Sequence, residues 1–222
     1  MSPTQTKMEQ GKITIIGTSH IAKDSVAKVK EKILSEKPDI VAVELDHARL
    51  HALMAKEKPR LSPAMLRMMG ITGFAFFAIG GFLQRKLGKL IGAVPGEEMK
   101  TAVETAMQEK TRIALIDQPL NITMKKLSKI SLREKMKLVG DLFLGMVGLG
   151  RAPEGLKGLD LRKTPSGEFV EMAMKATKER YPQLYKALVS DRNEYMAHAL
   201  THISSHEPGS RIIAVVGAGH EK

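Results

Sequence analysis

The sequence predicts an α/β fold, with a central, largely parallel or mixed β-sheet flanked by helices and a large helical insertion between the second and third strands. Three observations carry this. Four short runs are nearly all apolar and rich in β-branched residues, helical patterns separate them, and each run carries glycine or an acidic residue at or next to its end. The runs are Lys12–Gly17, Asp39–Leu45, Arg112–Asp117 and Arg211–Gly217. Apolar character without alternation predicts strands covered on both faces, the pattern of a parallel sheet.

The segments between them read as helices. Asp24 is set to cap a helix whose stripe is Val26, Val29, Ile33 and Leu34, with Pro38 beyond its end. After Pro95-Gly96, the residues Met99, Ala102, Val103, Ala106 and Met107 repeat at helical spacing. Strand–helix–strand order at both places predicts right-handed crossovers.

The 222 residues suit one domain, residues 1–222, that can bury a full core. Within it, 59–95 reads as an apolar helical insertion and 121–206 as a mainly helical segment before the last strand. Gly70–Gln84 carries no charge but has only 15 residues, short of the roughly 20 that a membrane span needs. Arg85, Lys86 and Lys89 follow it at once. A second apolar run, Leu138–Gly150, is interrupted by Asp141. Such stretches either pack on the core or a second subunit, or form a membrane-facing or substrate-gripping surface. From Thr164 two helices run to His206, the second restarting at Tyr181-Pro182. Its stripe is Leu184, Tyr185, Leu188, Val189, Met196, Ala199, Leu200 and Ile203, and Arg192 falls near the centre. A charge on an inward face needs a buried carboxylate or a polar site.

Composition removes several classes of function. With no cysteine, thiol chemistry, disulfides and zinc–thiolate sites are excluded, so any metal must be held by His, Asp and Glu. Lys and Arg outnumber Asp and Glu by 35 to 24, which attracts anionic partners. Specific nucleic-acid binding is not expected, because there is no Trp and the basic residues are not interleaved with aromatics. The polar N-terminus lacks the apolar stretch of a signal peptide, the pattern of a cytoplasmic domain.

Function points to the strand ends. The first strand leads into Gly17-Thr18-Ser19-His20 and the second into Glu44, with Asp46 beyond. The third leads into Asp117 and the fourth into Gly217-Ala218-Gly219-His220. If the strands are parallel these residues gather along one sheet edge, where open α/β sheets bind ligands. Two imidazoles and one or more carboxylates from different strands could hold a divalent ion. Glycine before each histidine permits a sharp turn and close approach to a ligand. The alternative is that the histidines cap helices and the carboxylates pair with lysine or arginine. Two rivals are weaker. His198, His202 and His206 recur every four residues, but without the glutamate of a zincin helix and on the flank of the inward stripe. Gly217-Ala218-Gly219 lacks both a dinucleotide fingerprint and a Walker lysine.

The pieces IGTSHIAKDSV, KPDIVAVELD, LQRKLGKLIGAVPGEEM, IALIDQPLNIT, DRNEYMAHAL and VVGAGH resemble, in order and spacing, the TraB family and most closely its archaeal branch. That family is similar to the Tiki metalloproteases and, more distantly, to ChaN and erythromycin-esterase proteins. The resemblance implies a site of His20, Glu44 and His220 around a divalent ion such as Mn, Co or Zn, with Gly17, Ser19, Gly217, Gly219 and Asp117 as further site residues. It also brings Arg192 and Asn193, from an acidic–Arg–Asn triplet in which Asp191 stands where relatives commonly have glutamate. Glu44 is then a ligand or the base. Arg192 would stabilise an oxyanion or orient Glu44, and Asn193 would donate to substrate. The implied activity is metal-dependent cleavage of peptide or protein substrates, linked in bacterial TraB to pheromone shutdown. The implied setting is a membrane-tethered protein that is a dimer on base rates. The competing expectation is a non-catalytic, membrane-associated regulator that sequesters a peptide or partner.

Overall fold

The computed structural model describes residues 12–18, 23–55, 67, 70, 96–146 and 167–221. The apolar insertion at 59–95 falls outside these residues apart from positions 67 and 70, and so do Ser19 and His20.

The elements run β1 (Ile13–Thr18), α1 (Lys23–Glu36), β2 (Ile40–Val43), α2 (His47–Met54), α3 (Glu97–Gln108) and β3 (Arg112–Leu115). They continue with α4 (Leu120–Ser128), α5 (Leu132–Met146), α6 (Gly167–Arg180), α7 (Pro182–Tyr185), α8 (Asp191–His206) and β4 (Ile212–Gly217). The strands form one sheet in the order β1-β4-β2-β3, and every pairing is parallel. Both α/β class and parallel sheet thus match the expectation. The second and third strands are shorter than the apolar runs, because Glu44 and Asp117 already leave the regular ladder. Their backbone N–H groups still reach across, to Val215 O at 3.1 Å and Leu45 O at 3.3 Å.

Two apolar layers sandwich the sheet. On one face Val41, Val43, Ile213 and Val215 pack with Val29 and Ile33 of α1 and with Met99, Ala102, Val103 and Ala106 of α3. On the other, Ile40, Ala42, Ile212, Ala214 and Val216 pack with Met196, Ala199, Leu200 and Ile203 of α8. Strand residues alternate between the layers as the pleat requires. The chain after β2 enters α2 and α3 on the first face, and the chain after β3 leads through α4 to α8 on the second. Connections leaving two neighbouring strands in opposite directions open a crevice at their carboxyl ends. Glu44 and Asp117 stand there.

Gly96 starts α3 with φ +86°, a left-handed conformation that favours glycine. Leu34 and Met107, placed on inward stripes by spacing alone, are exposed. Ile13 and Ile15 are also exposed, because β1 is an edge strand and α8 packs over the centre of the sheet. Asp141 does not end the apolar run. Helix α5 passes through it, and Asp141 accepts from Arg180 Nε at 2.6 Å and from the Tyr181 hydroxyl.

The largest correction concerns the stripe from Leu184 to Ile203. A π-turn, Lys186–Ser190, separates α7 from α8. Leu184 and Ala187 therefore join Met124, Leu127 and Ile130 in a third cluster, while Met196 onward faces the sheet. The wider turn adds a residue and rotates one half of the stripe against the other.

Core position predicts stability here. Ile213→Ala should cost about 2–5 kcal/mol, whereas Ile15→Thr on the exposed edge should cost about 0.5 kcal/mol. Urea denaturation of the two variants beside the wild type checks the contrast.

Candidate functional site

The crevice is organised by Arg192, two residues past the π-turn on α8. A guanidinium has five N–H donors and no acceptor, and each of the five has a partner. Nε donates to Asp117 Oδ1 at 3.0 Å, and Nη2 donates to Asp117 Oδ2 at 2.5 Å and to Glu44 Oε1. Nη1 donates to Leu188 O at 3.2 Å and to His220 Nε2 at 3.1 Å. Arg192 thus meets buried carboxylates, one of the two outcomes its inward position required. Leu188 O lies within the π-turn, so the widened turn supplies part of the arginine's anchorage.

His220 sits on a 3₁₀ turn, Ala218–His220, directly after β4. Because the guanidinium can only donate, Nε2 must accept, and the ring proton lies on Nδ1. Nδ1 donates to Asn193 Oδ1 at 2.5 Å. Asn193, read from sequence as a donor to substrate, turns its oxygen to the histidine and fixes the tautomer. Glu44 is held from its other side, where Oε2 accepts from Gly217 N at 2.6 Å. Its Oε1 lies 3.4 Å from His220 Nε2. Two acceptors, each tied down at its far atom, therefore point their lone pairs into one small volume.

Flexible side chains lie against two of the glycines. A Cβ on Gly17 would lie 2.2 Å from Glu221 Oε2, and one on Gly219 would lie 3.3 Å from Met174 Cε of α6. Gly217 contributes the N–H that Glu44 accepts.

A second arginine, which the sequence did not single out, completes the network. Arg49 Nη1 lies 2.7 Å from Asp117 Oδ2, and Nη2 donates to Gln118 O at 2.9 Å. Asp46 caps α2 by accepting from Arg49 N at 2.7 Å, and it also accepts from Leu120 N at 2.5 Å. Nothing local in the sequence showed that Arg49 would cross to β3. Asp191 stands outside the cluster and pairs with Lys126 at 2.8 Å and Lys186 at 2.5 Å.

Burial pushes the Asp117 carboxyl up, but Arg192, Arg49 and the Gln118 N–H together outweigh it and hold the group below the usual carboxylate range. Burial works against the Arg192 cation too, yet Asp117 and Glu44 raise its pKa above the ordinary arginine value. Among the described residues, three carboxylates, Glu44, Asp46 and Asp117, face two guanidinium groups.

The donor set fits part of a divalent-ion site. Glu44 Oε1 and His220 Nε2 are the right atoms, converge from neighbouring strands, and have the outer hydrogen bonds that orient metal ligands. The third expected ligand, His20, and with it Ser19, lies outside the described residues. Among the described residues no group of three His, Asp or Glu could hold an ion. His198, His202 and His206 are exposed on α8, and the last two stack on each other at 4.0 Å.

The Asp117 network has a pH signature. With its folded pKa depressed, Asp117 contributes stability that is complete above its unfolded pKa of about 4 and is lost as pH falls through the folded value. Asp117→Asn should cost about 3 kcal/mol at pH 7, because it leaves the largely buried Arg192 and the half-buried Arg49 each short of a partner. The gap to wild type should narrow below about pH 4. Urea denaturation at pH 7 and pH 3 tests this, and a gap of constant size would refute the linkage.

Residues 4–221 match the model of the TraB/PrgY/gumN family. An uncharacterised protein of Methanocaldococcus jannaschii is 34% identical over 210 residues, covering 94% of this chain and 51% of its own length. TraB domain-containing proteins of Bos taurus and Homo sapiens are each 25% identical, covering 98% of this chain and 63% of their own. The chain thus spans about half of the archaeal relative and less than two thirds of the mammalian ones. A family model matching nearly the whole chain, and an archaeal relative with this coverage, lead to one conclusion: the chain belongs to the TraB/PrgY/gumN family.

Proposed function

We propose that the crevice is the active site of a divalent-metal-dependent hydrolase acting on peptides, in a protein that works at a membrane. The observation that carries this reading is the pair of acceptors, Glu44 Oε1 and His220 Nε2, 3.4 Å apart at the carboxyl ends of parallel strands. In the structure the Arg192 cation donates to both atoms, so the pair already binds one cation and offers the same two acceptors to a divalent ion. The gathering of Glu44, Asp46 and Asp117 beside the pair supports the same reading.

Glu44, His220 and, by family resemblance, His20 would hold the ion, with Mn, Co or Zn as candidates. When bound, it supplies Lewis acidity to a scissile carbonyl and to the attacking water. Glu44 presents one oxygen to the site while the Gly217 N–H fixes the other. That leaves Oε1 as the atom that coordinates or takes a proton. Asn193 keeps the His220 Nε2 lone pair turned inward. Arg192 N–H groups lie at the same place, where negative charge would develop on the carbonyl oxygen.

Peptide substrates and membrane attachment come to this proposal from the family resemblance, and dimer formation from the base rates of oligomers. Among the described residues no helix is long and apolar enough to cross a membrane. A non-catalytic regulatory reading draws on one specific observation, the exposed Leu132, Met136, Val139 and Leu144 along α5. It expects partner binding that survives His220→Ala and fails when these side chains become polar.

The hydrolase reading is tested by titrating Mn²⁺, Co²⁺ and Zn²⁺ into the purified chain by calorimetry and following cleavage of a peptide library by mass spectrometry. His220→Ala should abolish both ion binding and cleavage. Asn193→Ala should weaken ion binding by about 10–100-fold, as loss of an orienting partner does. Ion affinities unchanged in both variants would end the proposal.

A further inference from the structure

We infer that Arg192 is a resident counter-cation that competes with the divalent ion for the same two ligand atoms, so that loading the site means displacing two of the arginine's five hydrogen bonds. The inference rests on the proposed ion site and adds how its occupancy is set. Its evidence is the allocation of donors. Nε and one N–H of Nη2 go to Asp117, and one N–H of Nη1 goes to Leu188 O. The other two go to Glu44 Oε1 and His220 Nε2, the atoms assigned to the ion.

The two sets of contacts are separable. Asp117 receives the guanidinium edge in a bidentate grip, its side chain is fully buried, and Arg49 supports it from behind at 2.7 Å. Those contacts do not involve an ion ligand, so they persist when the others break. Glu44 and His220 are likewise held without Arg192, through Gly217 N and Asn193 Oδ1. Each partner can therefore release the other and keep its position. A divalent ion at the acceptor pair would sit within a few ångströms of the guanidinium, and two like charges at that spacing in a buried site repel strongly. Ion and guanidinium cannot both occupy the acceptor pair. Once released, the two N–H groups have no protein acceptor among these contacts and remain aimed at the crevice, where an anionic group of a ligand would satisfy them.

The consequence is a sign opposite to that of a supporting residue. Removing Arg192 should tighten ion binding, since it removes a competing charge while leaving both ligands oriented. The test is Mn²⁺ titration of wild type, Arg192→Gln and His220→Ala by calorimetry, with thermal unfolding recorded over the same ion series. Arg192→Gln is expected to bind Mn²⁺ at least about tenfold more tightly than wild type, a difference of about 1.4 kcal/mol. It should melt lower than wild type without ion and gain more on adding it, because an ion that binds only the folded state stabilises in proportion to its affinity. If the variant folds only when Mn²⁺ is present, that also supports competition. Equal or weaker binding by Arg192→Gln, or failure of Mn²⁺ to restore its fold, overturns the inference while leaving the ion site standing. Wild type that binds Mn²⁺ no better than His220→Ala overturns the ion site itself, and this inference with it.

Discussion

The contact between Arg192 and the strand-end carboxylates ties the helical layer to the sheet at the one place where the sheet's own geometry creates a problem. Parallel strands end side by side, so the polar residues that follow them are forced into a common volume. Here that volume receives Glu44 from β2 and Asp117 from β3, both buried. Two buried carboxylates without cations would not stay ionised, because desolvation and mutual repulsion both favour protonation. Arg192, inserted from α8, and Arg49, from α2, resolve this. Arg192 comes from the helix on one face and Arg49 from the helix on the other, and both close on Asp117, so this carboxylate joins the two layers at the strand ends.

Placing Arg192 has a structural requirement of its own. Helix α8 must lay Met196, Ala199, Leu200 and Ile203 on the sheet, while α7 must lay Leu184 against α4 and α5. A continuous α-helix would carry a single stripe to both tasks. The π-turn at Lys186–Ser190 separates them, and Leu188 O within it accepts from the arginine. The irregular turn, the anchorage of the guanidinium and the repacking of α7 are thus one adaptation. A change that regularised the turn would disturb the site without touching any residue in it.

The fold was legible because its signals are local. Apolar runs such as Ile212–Val216 report burial on both faces, and burial on both faces implies a parallel sheet. The strand-end residues were legible for the same reason, since Glu44, Asp117 and His220 each follow such a run. Arg192 was found through its conflict with an inward stripe, and its acidic partners followed from that conflict. Arg49 was not, because its side chain lies at a helix start where a charge is unremarkable and its partner lies 68 residues away in sequence. The π-turn was equally hidden. Its residues have ordinary helix propensities, and the extra residue is imposed by what lies on either side. The exposure of Ile13 and Ile15 depended on strand order, which no local pattern encodes.

The same distinction separates what the chain's electrostatics require from what the family resemblance adds. Charge balance alone demands cations beside Glu44 and Asp117, and the arginines meet most of that demand. It does not demand that Glu44 Oε1 and His220 Nε2 face each other 3.4 Å apart, each locked from behind by Gly217 or Asn193. In the structure Arg192 donates to both acceptors and so stabilises their opposition, while Asn193 orients the imidazole. Under the proposed ion loading, an arginine that steps aside while remaining bound to Asp117 would let the site fold before an ion arrives.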